Sequence, residues 1–286
     1  MTEKSIYKSA AGQTEIVTLY NQVLTQWPLP ATHLHIPTRY GDTFVIASGN
    51  TTGPPLVLLH GSGSNSATWM GDVAEYGKQF HVYAADIPGE PGNSAVERFS
   101  WDGPAFNEWL GDVLDGLGLA QVILGGMSLG GWAVINFAIE RPERVAQAIL
   151  IVPSGVHPPR TAAMIRIIFY ALLGEWGQAR MKRYLFKGME FTEELDRFLT
   201  LVGRHFNYRM GSPPIFTDEQ LQRLTMPVVF LAGKHDVLLD TLKTAARLQQ
   251  WVPNLTVKIY EDEGHATINK AAEVVALLEE NAVIQH

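Results

Sequence analysis

The 286-residue sequence predicts an α/β fold: a mostly parallel, eight-stranded sheet flanked by helices and interrupted once by a helical insertion. Three observations carry that expectation. Short apolar runs alternate with helix-period segments along most of the chain, as in a parallel sheet covered on both faces. The central runs are continuously apolar, which suits strands buried on both sides. One interval, residues 157–216, lies between His157-Pro158-Pro159 and Pro213-Pro214 and holds helical patterns alone.

The elements follow in order. Within Glu15 to Trp27, the residues Ile16, Tyr20, Val23, Leu24 and Trp27 share one helical face, and Pro28 and Pro30 stop the helix. Residues 1–30 are therefore expected to form an N-terminal docking helix. Extended pieces at His33–Ile36 and Thr43–Ala47 lead to runs at Leu56–Leu59, Val82–Ala85, Val122–Leu124, Ala148–Val152, Val228–Ala232 and Val257–Tyr260. Right-handed crossovers place the loops after parallel strands along one sheet edge, where such sheets bind ligands. Within the insertion the third helical pattern is the clearest, with Leu195, Phe198, Leu199, Val202 and Phe206 on one face. Thr217 with Gln220 then forms a capping-box pattern that restarts the core. The expected organisation is a core of residues 1–156 and 217–286 with a helical cap over 157–216.

Composition narrows the function. Hydrophobic residues make up 46% of the chain, enough for a sizeable core. A net charge of -7 with no long basic run argues against a nucleic-acid partner. The absence of cysteine excludes disulfides and thiolate metal sites. The N-terminus lacks the apolar stretch of a signal peptide, and no segment nears about 18 apolar residues, so a cytoplasmic protein with no membrane partner is expected.

The chemistry concentrates at four strand ends. Gln121 to Ala138 passes from a buried-strand run to helical spacing through Gly126-Met127-Ser128-Leu129-Gly130, a G-x-S-x-G elbow that can expose a strained nucleophile. Alone, the same residues also fit a tight glycine turn with a serine capping the next helix. Asp236 follows the strand ending at Ala232, and His265 follows the one ending at Tyr260. Each could be a cap or surface residue singly. Together they stand in the order Ser, Asp, His along the chain, on the edge that carries Ser128. His60-Gly61-Ser62-Gly63 follows Leu59, where a loop contributes a backbone N–H to an oxyanion hole. His235 adjoins Asp236 and points elsewhere, and Val152 to His157 offers no carboxylate, so Asp236 is the expected triad acid.

These motifs, with Asp86-Ile87-Pro88-Gly89-Glu90-Pro91-Gly92-Asn93-Ser94 and Gly264-His265, resemble those of the α/β-hydrolase superfamily over almost the whole chain. The pieces SIYKS, QWPLP, TRYG, VIASG, PPLVLLHG and IFTDEQL further resemble bacterial carboxylesterases of the naproxen-esterase type. The resemblance implies an α/β-hydrolase fold and ester cleavage with Ser128 as nucleophile, His265 as base and Asp236 as its orienting acid. Backbone N–H groups of Ser62 and Leu129 would form the oxyanion hole, with no metal and no organic cofactor. Dehalogenases and epoxide hydrolases of this fold need an aspartate where Ser128 stands. Thioesterases, lactonases, carbon–carbon bond hydrolases and ligand-binding receptors of the fold remain alternatives; the carbon–carbon hydrolases tend to carry proline soon after His-Gly, where this chain has Ser64.

The cap sets the expected specificity. Ala162 to Leu173 is apolar at every position but Arg166, so both its faces should be covered, by the sheet domain, by other cap helices or by a second subunit in a homodimer. Met164, Ile168, Phe169 and Leu172 are the candidate walls of an apolar pocket above Ser128. The cap carries +4, leaving -11 on the remainder of a chain of net -7. The expected partner is a small to medium apolar ester.

Overall fold

In the computed structural model, which describes residues 5–186, 191–209 and 211–283, the chain forms an eight-stranded sheet of order β1-β2-β4-β3-β5-β6-β7-β8. The strands are β1 (Ala31–Thr38), β2 (Gly41–Gly49), β3 (Pro55–Leu59), β4 (His81–Ala85), β5 (Val122–Met127), β6 (Val145–Ile151), β7 (Val228–Gly233) and β8 (Leu255–Tyr260). Only β2 runs against its neighbours, pairing antiparallel with β1 and β4. From β4 to β8 every pairing is parallel, with Leu59 beside Gly126 and Met127 beside Ile151, so the loops after these strands leave one edge. β5 and β7 are buried at every position, as their unbroken apolar runs require.

The helices are α1 (Ala10–Leu24), α2 (Val73–Tyr76), α3 (Ala105–Gly116), α4 (Leu129–Glu140), α5 (Thr161–Ala171), α6 (Gly174–Leu185), α7 (Glu193–His205), α8 (Asp218–Gln222), α9 (Thr241–Trp251) and α10 (Ala271–Val283). The helix α1 starts a turn earlier than its apolar face does, because Ser9 caps it by accepting the Gly12 N–H. Its Tyr20 and Leu24 join the sheet core, whereas Ile16 and Leu19 join a second cluster with Ile6, Tyr7, Phe198, Val202 and Phe206. One helix thus fastens α7 of the insertion to the body.

The insertion begins and ends at a closed neck. Phe216 N–H donates to Gly155 O at 2.8 Å, and Arg247 of α9 donates to both Val156 O and Phe216 O. Arg247 is itself held by Asp218 at 2.7 Å. Trp132 stacks on Phe216 and its indole N–H donates to Pro214 O at 3.0 Å. Three helices, α5 to α7, fill the interval.

The apolar helix departs from expectation. Of α5 only Ala163 is buried, and Ile165, Ile168, Phe169 and the following Leu172 are exposed, so the described residues cover one side of this helix and not both. The helix packs on α6, whose residues are mostly polar and which itself packs on α7. Lys187 and Glu190, two of the cap's charges, lie outside the described residues.

Candidate active site

Ser128 joins β5 to α4 with φ 52°, a left-handed conformation that costs a side chain of order 1–3 kcal/mol. Its neighbours make the turn sterically feasible. A Cβ on Gly126 would come within 2.3 Å of the Gly130 backbone, and one on Gly130 within 2.2 Å of Leu59 O. Ser128 N–H donates to Ile151 O, and Ser128 O accepts from Trp132 and Ser154 N–H. The side chain makes no capping bond to α4, so a helix-capping serine does not describe it. Its hydroxyl is left at the mouth of the sheet edge.

Asp236 and His265 meet there. Asp236, fully buried, accepts Leu238 and Leu239 N–H on Oδ1 at 2.7 and 2.9 Å, and on Oδ2 it takes His265 Nδ1 at 2.7 Å. Because an ionised carboxylate only accepts, Nδ1 carries the proton and Nε2 is left with its lone pair. The two loops are pinned together by Lys234 N–H to Tyr260 O and His235 N–H to Glu263 O, both 2.8 Å. Gly233 allows this approach, since a Cβ there would come within 2.3 Å of Gly264 O. Among the described residues Ser128 Oγ makes no hydrogen bond; such bonds commonly tighten only when substrate is present.

The loop after β3 lies against the elbow. A Cβ on Gly61 would be 3.5 Å from Ser128 Cβ, so this backbone reaches ordinary contact distance of the nucleophile. His60, read from the sequence only as the first residue of the oxyanion loop, is buried and works as a strut: Nδ1–H donates to Gly61 O at 2.8 Å, and Nε2 accepts Ile87 N–H at 2.9 Å. Burial holds its imidazole below the usual histidine range, which keeps it neutral for both bonds. No acceptor among the described residues takes the N–H of Ser62, and that of Leu129 is one of the donors a helix start leaves without an intrahelical partner.

Two further carboxylates brace this loop, and the sequence reading assigned them no role. Glu90 Oε2 accepts Gly63 N–H at 2.6 Å and Ser62 Oγ at 3.4 Å. Its burial pushes the carboxyl up to about 7, against the Gly63 bond, Arg98, Arg209 and Ser62, which favour the ionised form. Asp86 Oδ1 accepts Ser66 N–H, Ser66 Oγ and the Tyr20 hydroxyl, while Oδ2 accepts Asn93 N–H. The turn-rich stretch Asp86 to Ser94 was the available signal, but which loop it braces is a tertiary fact. On the cap side, a Cβ on Gly63 would come within 2.4 Å of the Tyr208 ring. Of the four candidate pocket residues, Met164 is half-buried, and Ile168, Phe169 and Leu172 are more than half exposed on the outer face of α5 instead of enclosing a pocket.

A family model described as the alpha/beta hydrolase family matches residues 56–277. Among curated relatives, carboxylesterase YbfK of Bacillus subtilis is 32% identical over 267 residues, covering 86% of each chain. A second B. subtilis relative, the carboxylesterase nap, is 31% identical over 254 residues, with 86% of this chain and 84% of that one covered. Among solved structures, the B. subtilis naproxen esterase superposes with a TM-score of 0.84 at 26% identity, over 98% of this chain and all of that one. With the sheet order, the strained serine and the paired Asp236 and His265 already in place, the matched segment shows that the chain belongs to the α/β-hydrolase family.

Proposed function

We propose that the protein is a carboxylesterase that cleaves small to medium apolar esters through an acyl-enzyme on Ser128. The observation that carries this reading is the 2.7 Å bond from His265 Nδ1 to a fully buried Asp236, on the sheet edge from which Ser128 projects. Ser128 Oγ attacks the ester carbonyl carbon as His265 Nε2 takes its proton, giving a tetrahedral intermediate. The oxyanion then meets the N–H groups of Ser62 and Leu129 and the positive end of α4. Collapse expels the alcohol, which takes the proton from His265, and water activated by the same imidazole releases the acid. Asp236 keeps the imidazole oriented and stabilises its charged form. The carboxylesterase relatives support ester substrates.

Chromogenic esters of graded acyl length, run beside an anilide and a thioester, test the reading together with a fluorophosphonate. Short and medium esters are expected to turn over, with a single label on Ser128. Labelling at another residue, or faster cleavage of the thioester than of every ester, would overturn it.

A further inference from the structure

The outer face of the cap is built for an interface. Ile165, Ile168, Phe169, Leu172 and Trp176 recur at helical spacing along α5 and into α6, all more than half exposed and Leu172 at 79%. With Leu173 they are six of the ten exposed large hydrophobics among the described residues, gathered on α5, the turn after it and the first turn of α6. A soluble chain rarely leaves such a stripe without an occupant.

The charges of its own segment are mostly basic. Residues 157–186 hold Arg160, Arg166, Arg180, Lys182 and Arg183 against Glu175 alone, a local +4 on a chain of net -7. Glu175 is engaged by Arg204, Lys182 by Asp196, and Arg160 by Asp240 at 3.9 Å. Arg180 lies 4.8 Å over the exposed Trp176 ring and Arg166 4.8 Å over Tyr184, while neither they nor Arg183 pairs with a carboxylate among the described residues. An apolar stripe beside unneutralised arginines, with tryptophan at its end, is the composition of a helix that lies in a lipid headgroup boundary.

A second copy fits less well. In a closed two-fold dimer the same patch meets itself, so the basic rims would face each other. Pairing the stripe with the acidic body of another copy is heterologous and need not close. We propose that the α5–α6 face docks on an anionic lipid surface, with the apolar stripe at the acyl boundary and Arg166, Arg180 and Arg183 among the phosphate groups. The chain lies on such a surface without crossing it, as no helix among the described residues is long and apolar enough to span.

The test is co-sedimentation of the full chain with phosphatidylglycerol–phosphatidylcholine vesicles and with pure phosphatidylcholine vesicles, which reads binding independently of any turnover. Binding to the mixed vesicles is expected to exceed binding to pure phosphatidylcholine and to fall with added salt. It should drop about 25-fold in the Arg166→Gln/Arg180→Gln double variant, at roughly fivefold per charge. Phe169→Glu with Leu172→Glu should abolish it at a little-changed melting temperature, since both side chains are more than half exposed. Absent or equal binding to the two vesicle types overturns the proposal. A dimer in solution that Leu172→Glu dissociates also overturns it, in favour of self-association.

Discussion

At Glu90 the needs of stability and of geometry diverge. Its carboxyl is raised from 4.5 to about 7 by burial, so between those values the native state holds a proton that the unfolded chain releases. Stability contributed at this position is therefore whole below about pH 4.5 and is lost as the pH rises to about 7. Glu90→Gln, which keeps an acceptor for Gly63 N–H, should remove that slope; melting temperatures of both proteins across this window check it, and parallel curves would refute it. Glu90→Ala leaves the Gly63 N–H without its acceptor and should lower kcat more than it raises KM, because a misaimed Ser62 N–H affects the transition state first. Ser128 offers a cleaner separation. Ser128→Ala and Ser128→Gly should both lose turnover by several orders of magnitude, but only glycine relieves the φ 52° strain. The glycine variant is expected to melt about 2 °C above the alanine variant, and equal melting would show that the elbow stores no strain. The strand-end placement of Ser128, Asp236 and His265 was legible because each lies within a short motif, and the fold does bring Asp236 and His265 together. Glu90 and His60 were not, because their partners Gly63 and Ile87 lie on loops that meet only after the sheet has formed.

The strands were legible as elements because β3 to β7 are mostly buried on both faces, and short apolar runs bounded by turn residues mark that state. The cap helices were harder. Periodicity showed α7 correctly as an amphipathic helix whose Phe198 and Val202 are buried, yet it gave no sign that the covering surface is α1, more than 170 residues earlier in the chain. Apolar content misled at α5, because hydrophobicity reports a preference for leaving water and not the presence of something to pack against. The α1–α7 joint yields a prediction at this scale. Ile16 is fully buried in it and far from the reacting groups, so Ile16→Ala should cost about 2–5 kcal/mol. Limited proteolysis should then cut within the cap sooner than in the parent protein while fluorophosphonate still labels Ser128. Cleavage confined to the sheet domain would contradict the joint.

Across the whole molecule, the neck at Gly155 and Phe216 joins the inserted helices to the body, and α1, Arg98 and the aromatic pair Trp101 and Phe106 hold the insertion down further along. Removing residues 160–211 behind a short linker, with Ile16→Gln and Leu19→Gln to make the bared face polar, should leave a folded hydrolase core that no longer discriminates acyl length. Retained discrimination would move specificity to the loop after Gly61. The attachment through α1 has a meaning in time. Ile16 leaves the ribosome 190 residues before Phe206, an interval of about 10 to 40 s at 5–20 residues per second. Throughout that interval half of the apolar face of α1 has no native covering, although Tyr20 and Leu24 can settle on the sheet as soon as β2 to β4 exist. The nascent chain thus carries a sticky helix at its leading end until nearly three quarters of it has been made, and chaperone demand during synthesis should follow the exposure of Ile16 and Leu19 more than the length of the chain.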